Sequence, residues 1–279
     1  MACHFFLLLF LSSVTSMAAA QDTAAFIYAG CSQTSYSPGS PYQLNVDSLL
    51  SSLTAAATSS FYINLTSSAS VAGSLPTFGL FQCRGDLQPR ECSACIRSAL
   101  SKFSSLCPFA AGAAVQLDGC FLRYGNDAFV GKPDATVVYK KCGASSGSGQ
   151  IGIRDAALSG LTGGGFGGYR AGASGYVQAV AQCVGDQTAK QCDDCLGAAV
   201  AQLKAACGYA VSGEAYLGKC FARFWCNGNG GVDIEAGNHH DDNDETGRTA
   251  AIIIALIAGV ALLILFLSFV RKAGNPDKD

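Results

Sequence analysis

Two stretches of the chain repeat one helical spacing of apolar positions. Cys92, Cys95, Ile96, Ala99, Leu100 and Phe103 follow i, i+3, i+4, i+7 spacing, and so do Cys192, Cys195, Leu196, Ala199, Val200 and Leu203. Each set lines one face of a predicted amphipathic helix. An earlier helix is predicted over Val46–Ala57, where Val46, Leu49, Leu50 and Leu53 share a face and Asp47 sits near the start. Around these helices the pattern turns β-like. Val115 and Leu117, then Cys120-Phe-Leu-Arg-Tyr124, predict two strands around Asp118-Gly119, and Tyr176–Cys183 also reads as extended.

The two ends follow different rules. Residues 1–20 read as a secretory signal peptide: an apolar run from Phe5 to Leu11, too short to span a bilayer, then Ala18-Ala19-Ala20 before Gln21. Thr249–Val270 is 22 residues without a charge, about 33 Å as a helix and enough for the hydrocarbon core. Arg271 and Lys272 follow it, so the positive-inside rule leaves residues 271–279 cytosolic and makes the chain a type I single-pass protein. Charged residues after Val270 argue against a lipid-anchor signal. The tail is too short for a kinase or any other enzyme.

The middle is one unit written twice. Cys83, Cys92, Cys95, Cys107 and Cys120 recur 100 residues later as Cys183, Cys192, Cys195, Cys207 and Cys220. Gly85-Asp86 recurs as Gly185-Asp186, Phe121 as Phe221, and Arg123 as Arg223. A sixth cysteine precedes each block, in Tyr28-Ala-Gly-Cys31 and Tyr139-Lys-Lys-Cys142. Six cysteines allow fifteen connectivities, and spacing does not choose among them. Cys92 and Cys95 project from one helix face in a geometry that disfavours pairing with each other, so each is expected to staple the helix to another segment. Cys226 is left over from the two sets of six; it either stays a thiol or bridges two chains.

Composition narrows the function classes. Fourteen cysteines point to an oxidising compartment. A net charge of −2 lacks the basic surface that nucleic acid requires, and 49% hydrophobic with 14% charged residues argues against disorder. Neither repeat contains a histidine, so Ser-His and Cys-His catalysis have no base. Asp86, Asp118, Asp186 and Glu214 are conceivable acid/base carboxylates, but nothing in the sequence brings two together, and surface or turn roles are expected. The CxxC pairs read as structural disulfides rather than redox or zinc sites. His239 and His240 stand in an acidic stretch, 227–248, read as a solvated stalk. No catalytic residue, metal or cofactor is assigned. Tyr36, Tyr42 and Trp225 are candidate stacking residues for a wall polysaccharide. Asn64-Leu65-Thr66 is a glycosylation sequon, and Ala251, Ala255 and Gly259 place small residues on one face of the membrane helix. The run Gly163–Gly168 reads as a flexible loop.

The C-x8-C-x2-C pattern in each repeat, with Cys120-Phe-Leu-Arg-Tyr124, resembles the plant domain of unknown function 26, the salt-stress-response/antifungal domain. Two such domains, an acidic linker, one membrane helix and a short basic tail resemble the plasmodesmata-located proteins. The resemblance implies an α+β fold: two tandem disulfide-stapled domains (24–131 and 135–226), each two helices on an antiparallel sheet of about five strands, plus one transmembrane helix (249–270). It implies the disulfides Cys31–Cys107, Cys83–Cys92, Cys95–Cys120, Cys142–Cys207, Cys183–Cys192 and Cys195–Cys220. A mannose-binding single-domain relative has Asn after its first cysteine; Ser32 and Gly143 stand there in this chain, so that site is expected to be absent. The resemblance further implies a non-enzymatic protein of the plasma membrane at plasmodesmata, its ectodomain in the apoplast. It would regulate cell-to-cell movement through callose and act in defence. Its implied partners are other plasmodesmal or receptor proteins, viral movement proteins, homo- or hetero-oligomers and wall polysaccharide. A kinase-less co-receptor or lectin-like glycan sensor of the plasma membrane is the second reading.

Overall fold

A computed structural model of the chain describes residues 22–67, 75–145, 151–163 and 168–227. Each repeat is an antiparallel five-stranded sheet with two helices on one face. The first contains β1 (Phe26–Cys31), α1 (Pro41–Ala56), β2 (Tyr62–Ser67), β3 (Thr77–Cys83), α2 (Pro89–Leu106), β4 (Ala113–Leu117) and β5 (Cys120–Gly125). Its strand order is β1-β4-β5-β3-β2. The second contains β6 (Val137–Cys142), α3 (Ile151–Ser159), β7 (Tyr169–Ser174), β8 (Val177–Cys183), α4 (Ala189–Ala206), β9 (Ser212–Leu217) and β10 (Cys220–Cys226), ordered β6-β9-β10-β8-β7. Both repeats lie in one compact unit.

Local chemistry sets the helix ends. The first helix begins at Pro41, five residues before the apolar face predicted from Val46, because Ser40 caps it: the Ser40 hydroxyl accepts from the Gln43 N–H at 3.3 Å and Pro41 occupies the first turn. At α4, Thr188 and Gln191 form a reciprocal capping box. Glu91 accepts from the Gln88 N–H at 2.7 Å at the head of α2. The buried face of α4 is the one read from the spacing, cysteines included; that of α2 matches except that Leu100 is half-buried and Ser93 is buried.

Three disulfides staple the second helix of each repeat to its sheet. The first repeat joins Cys31–Cys107, Cys83–Cys92 and Cys95–Cys120. The second joins Cys142–Cys207, Cys183–Cys192 and Cys195–Cys220. Cys92 and Cys95 thus take separate partners, which ties α2 to β3 and β5.

The sheets are buried on both faces. Phe81, Cys83, Val115, Leu117, Leu122 and Tyr124 face α1 and α2. The alternate residues Leu80 and Phe121 instead form a second cluster with Phe129 of the connecting segment and Val184 of the second repeat. The helix-free faces of the two sheets therefore meet, and the repeats are packed together rather than strung as independent beads.

The expected signal peptide, membrane helix and tail, with His239, His240, Ala251, Ala255 and Gly259, lie outside the described residues. So do the stalk beyond Asn227 and most of the Gly163–Gly168 run. Among the described residues no helix is long and apolar enough to cross a membrane.

Candidate functional site

The seam between the repeats is built by paired contacts. The Gly85 N–H donates to Gln182 Oε1 at 3.1 Å, and the Gly185 N–H donates to Gln82 Oε1 at 2.9 Å. A Cβ on Gly85 would lie 2.6 Å from Tyr169, and one on Gly185 would lie 2.6 Å from the Tyr62 ring. The recurring glycines are thus places where a ring of the opposite repeat rests on backbone. Tyr28 and Tyr139, the matched tyrosines before each first cysteine, stack at 6.5 Å, and Tyr216 meets both edge-on at 6.2 and 6.1 Å. Burial pushes the Tyr28 and Tyr216 phenols up, so both stay neutral.

One ion pair crosses the seam at Asp118, and a second, within the second repeat, holds the connecting segment against it. At one end Asp118, in the β4–β5 turn, accepts from Arg84 of its own repeat and from Arg223 of the other. Arg84 also donates from Nε to Asp86 at 2.7 Å. At the other end Lys219, in the β9–β10 turn, pairs with Asp186; both side chains are only 2% exposed. Asp186 also accepts from the Gly131 N–H at 2.9 Å, and the Phe129 ring lies 5.4 Å from Lys219 Nζ. Burial lowers the Lys219 pKa, and Asp186 opposes that shift. Asp118 and Asp186 stand at turns, as expected from sequence, but as paired and largely buried carboxylates rather than surface ones.

Two open grooves flank this frame. The first, about 490 Å³, lies at the Asp118 end and is lined by Asp22, Asp118, Lys141, Gly143, Glu214, Arg223 and Trp225 among others. It brings together three residues singled out from sequence: Asp118, Glu214 and Trp225. The Arg223 guanidinium lies 5.8 Å from the Trp225 ring. Burial raises the Glu214 carboxyl above the usual carboxylate range, with Arg223 and Lys141 opposing. The second groove, about 690 Å³, runs between α1 and α2, with Tyr36, Phe109, Phe103 and Tyr124 among its lining. Tyr36 stands 5.5 Å from Tyr42 and 5.9 Å from Phe109. Tyr42 belongs to the packing: its hydroxyl donates to the Ala111 carbonyl at 2.6 Å.

Other candidates are dispersed. Asn64 is exposed on edge strand β2, where its amide donates to the Tyr62 hydroxyl at 2.7 Å. Cys226 ends β10, outside the six disulfides, and partial burial pushes its thiol up. Among the described residues no group of three or more His, Cys, Asp or Glu is placed to hold a metal.

The geometry defines a class: paired cysteine-rich α+β repeats fused through their sheets and presenting open grooves. The family model described as salt stress response/antifungal matches residues 30–127 and 154–226. The crystal structure of the tandem DUF26 ectodomain of the Arabidopsis thaliana cysteine-rich receptor-like protein PDLP8 is similar, with a TM-score of 0.69 and 40% identity, covering 74% of this chain and 100% of that one. The corresponding ectodomain of PDLP5 gives a TM-score of 0.67 at 38% identity, covering 73% of this chain and 100% of that one.

The chain belongs to the salt stress response/antifungal family and, within it, to the plasmodesmata-located proteins. It is 44% identical to Plasmodesmata-located protein 6 of Arabidopsis thaliana over 270 residues (95% of this chain, 93% of that one). It is 46% identical to Plasmodesmata-located protein 7 of the same plant over 278 residues (99% and 92%).

Proposed function

We propose that the protein is a non-enzymatic type I membrane protein of plasmodesmata that regulates cell-to-cell movement through callose. The observation that carries this reading is similarity along the whole chain. Identity of 46% extends over 99% of it, so it includes the segment assigned to the membrane as well as the repeats. The fused repeats suit a docking platform: six disulfides brace the two folds and the Asp118–Arg223 pair ties one to the other. In this reading residues 249–270 span the membrane, Ala251, Ala255 and Gly259 form its association face, Asn64 carries a glycan, and receptor proteins and viral movement proteins are its partners.

Movement of a free fluorescent protein between leaf epidermal cells tests the regulatory claim. Raised expression is expected to change the number of cells reached, together with callose at the wall. Unchanged movement at verified protein levels refutes it.

A second reading, a kinase-less co-receptor or glycan sensor, is favoured by similarity to cysteine-rich receptor-like protein kinase 20 of Arabidopsis thaliana, 28% identical over 97% of this chain but only 43% of that one. Tight, saturable binding on a glycan array supports it.

A further inference from the structure

The two repeats treat one position in opposite ways. The buried face of α1, Val46, Leu49, Leu50 and Leu53, corresponds in spacing to Arg154, Ala157, Leu158 and Leu161 around α3. An acid follows the first member in both: Asp47 and Asp155. In the second repeat Arg154 is buried and fills the space between the helices. Its Nη1 donates to the Cys207 and Gly208 carbonyls at 2.8 and 2.9 Å, its Nε and Nη2 donate to Asp155 Oδ1 at 2.9 and 2.6 Å, and its guanidinium lies 5.9 Å from the Phe224 ring.

Every one of those partners has a counterpart around the 690 Å³ groove of the first repeat. Cys107 and Pro108 stand for Cys207 and Gly208, Tyr124 for Phe224, and Asp47 for Asp155, and all four line the groove. Only the arginine is missing, because Val46 stands at its position. Asp47 enters no ion pair among the described residues. Phe109, at the groove, has φ +58, a left-handed conformation that costs a bulky residue energy; its ring stands edge-on to Tyr36. The groove thus keeps the acceptor carbonyls, the carboxylate and the aromatic wall of a guanidinium site, without the guanidinium.

We propose that the α1–α2 groove of the first repeat is a docking site for an arginine side chain of a partner protein, seated as Arg154 is seated in the second repeat. A carboxylate and two helix-end carbonyls match the donors of the guanidinium fork, and the ring face matches its plane. Lysine, a point charge with tetrahedral donors, matches less well. The inference rests on the docking-platform reading and names the partner chemistry of one groove.

The test is a ligand-observed NMR titration of the full-length protein in detergent with the peptide acetyl-Gly-Arg-Gly-amide. Its counterpart with citrulline, which is neutral and nearly isosteric, serves as comparison. Saturable binding is expected for the arginine peptide, with the citrulline peptide about tenfold weaker or more, the scale of one charge-assisted hydrogen bond. Asp47→Asn should weaken arginine binding by about the same factor. Val46→Arg, which supplies the groove with its own side chain, should abolish it. Equal binding of both peptides, absence of saturable binding, or full affinity in Asp47→Asn overturns the proposal, and Asp47→Asn decides the matter if Val46→Arg does not fold. The titration needs no plasmodesma, so its failure removes the groove and leaves the location standing. Failure of the location leaves the groove standing.

Discussion

Replacing Asp118 with alanine should loosen the whole seam. The Asp118 carboxylate is the shared acceptor of Arg84, whose side chain is 2% exposed, and of Arg223, which is 15% exposed. Breaking a buried ion pair by removing one partner typically costs about 3–5 kcal/mol, because the other charge is left uncompensated. Two features reduce that cost. Arg84 keeps Asp86 at 2.7 Å, and Arg223 keeps some solvent and the face of Trp225. A loss of about 2–3 kcal/mol is therefore expected, which for a folded unit of this size lowers the thermal midpoint by about 4–12 °C. The chain has one tryptophan, and Trp225 lines the groove at this end of the seam. Its emission during heating reports the seam, while far-UV circular dichroism reports the repeats. Both midpoints should fall together in Asp118→Ala. The exposed Lys190–Asp194 pair serves as control, and Lys190→Ala should leave both unchanged. An Asp118→Ala midpoint within error of the parent protein, with Trp225 emission unaltered, would refute the view that this clamp holds the repeats together.

Gly185→Ala should cost about 1–3 kcal/mol by overpacking against Tyr62, read as a lower urea midpoint, since the added Cβ falls 2.6 Å from the ring. Removing Cys31–Cys107, which closes 76 residues of sequence, should cost about 4–5 kcal/mol, against about 2.5 kcal/mol for Cys83–Cys92, which closes 9; paired serine variants in denaturant titrations check the order. Glu214 has a carboxyl raised mainly by burial, so the folded state holds its proton to higher pH than the unfolded chain, and stability falls as pH rises through that window. Glu214→Gln should therefore match the parent at pH 4 and exceed it in thermal midpoint at pH 7.

The helices and their stapling faces were legible because a cysteine at helical spacing is both an apolar position and a crosslink. Cys92, Cys95 and Ile96 identify the same face twice. The α+β class, the strand count and the duplication followed from the repeat and the resemblance. The seam was not legible. A strand with one wet face alternates, but Leu80-Phe81 and Cys120-Phe121-Leu122 are apolar on both faces. That pattern says a second face is covered without saying by what. Gln116 and Gln182, polar groups within these strands, were a usable signal, since a buried amide needs a partner. Gly85-Asp86 and Gly185-Asp186 were visible as matched residues, but their meaning depends on Tyr169 and Tyr62 arriving from the opposite repeat. Asp118 and Arg223 are 105 residues apart, and no local rule pairs them. The Val46–Arg154 difference was equally hidden, because a buried arginine breaks the apolar period that would have marked α3 as the counterpart of α1.

The central claim is tested most directly by imaging the full-length protein, tagged at its C-terminus, in leaf epidermis together with a callose stain. The account predicts paired puncta across the shared wall, coincident with callose. A uniform outline of the plasma membrane, with intact full-length protein on a blot, would contradict it.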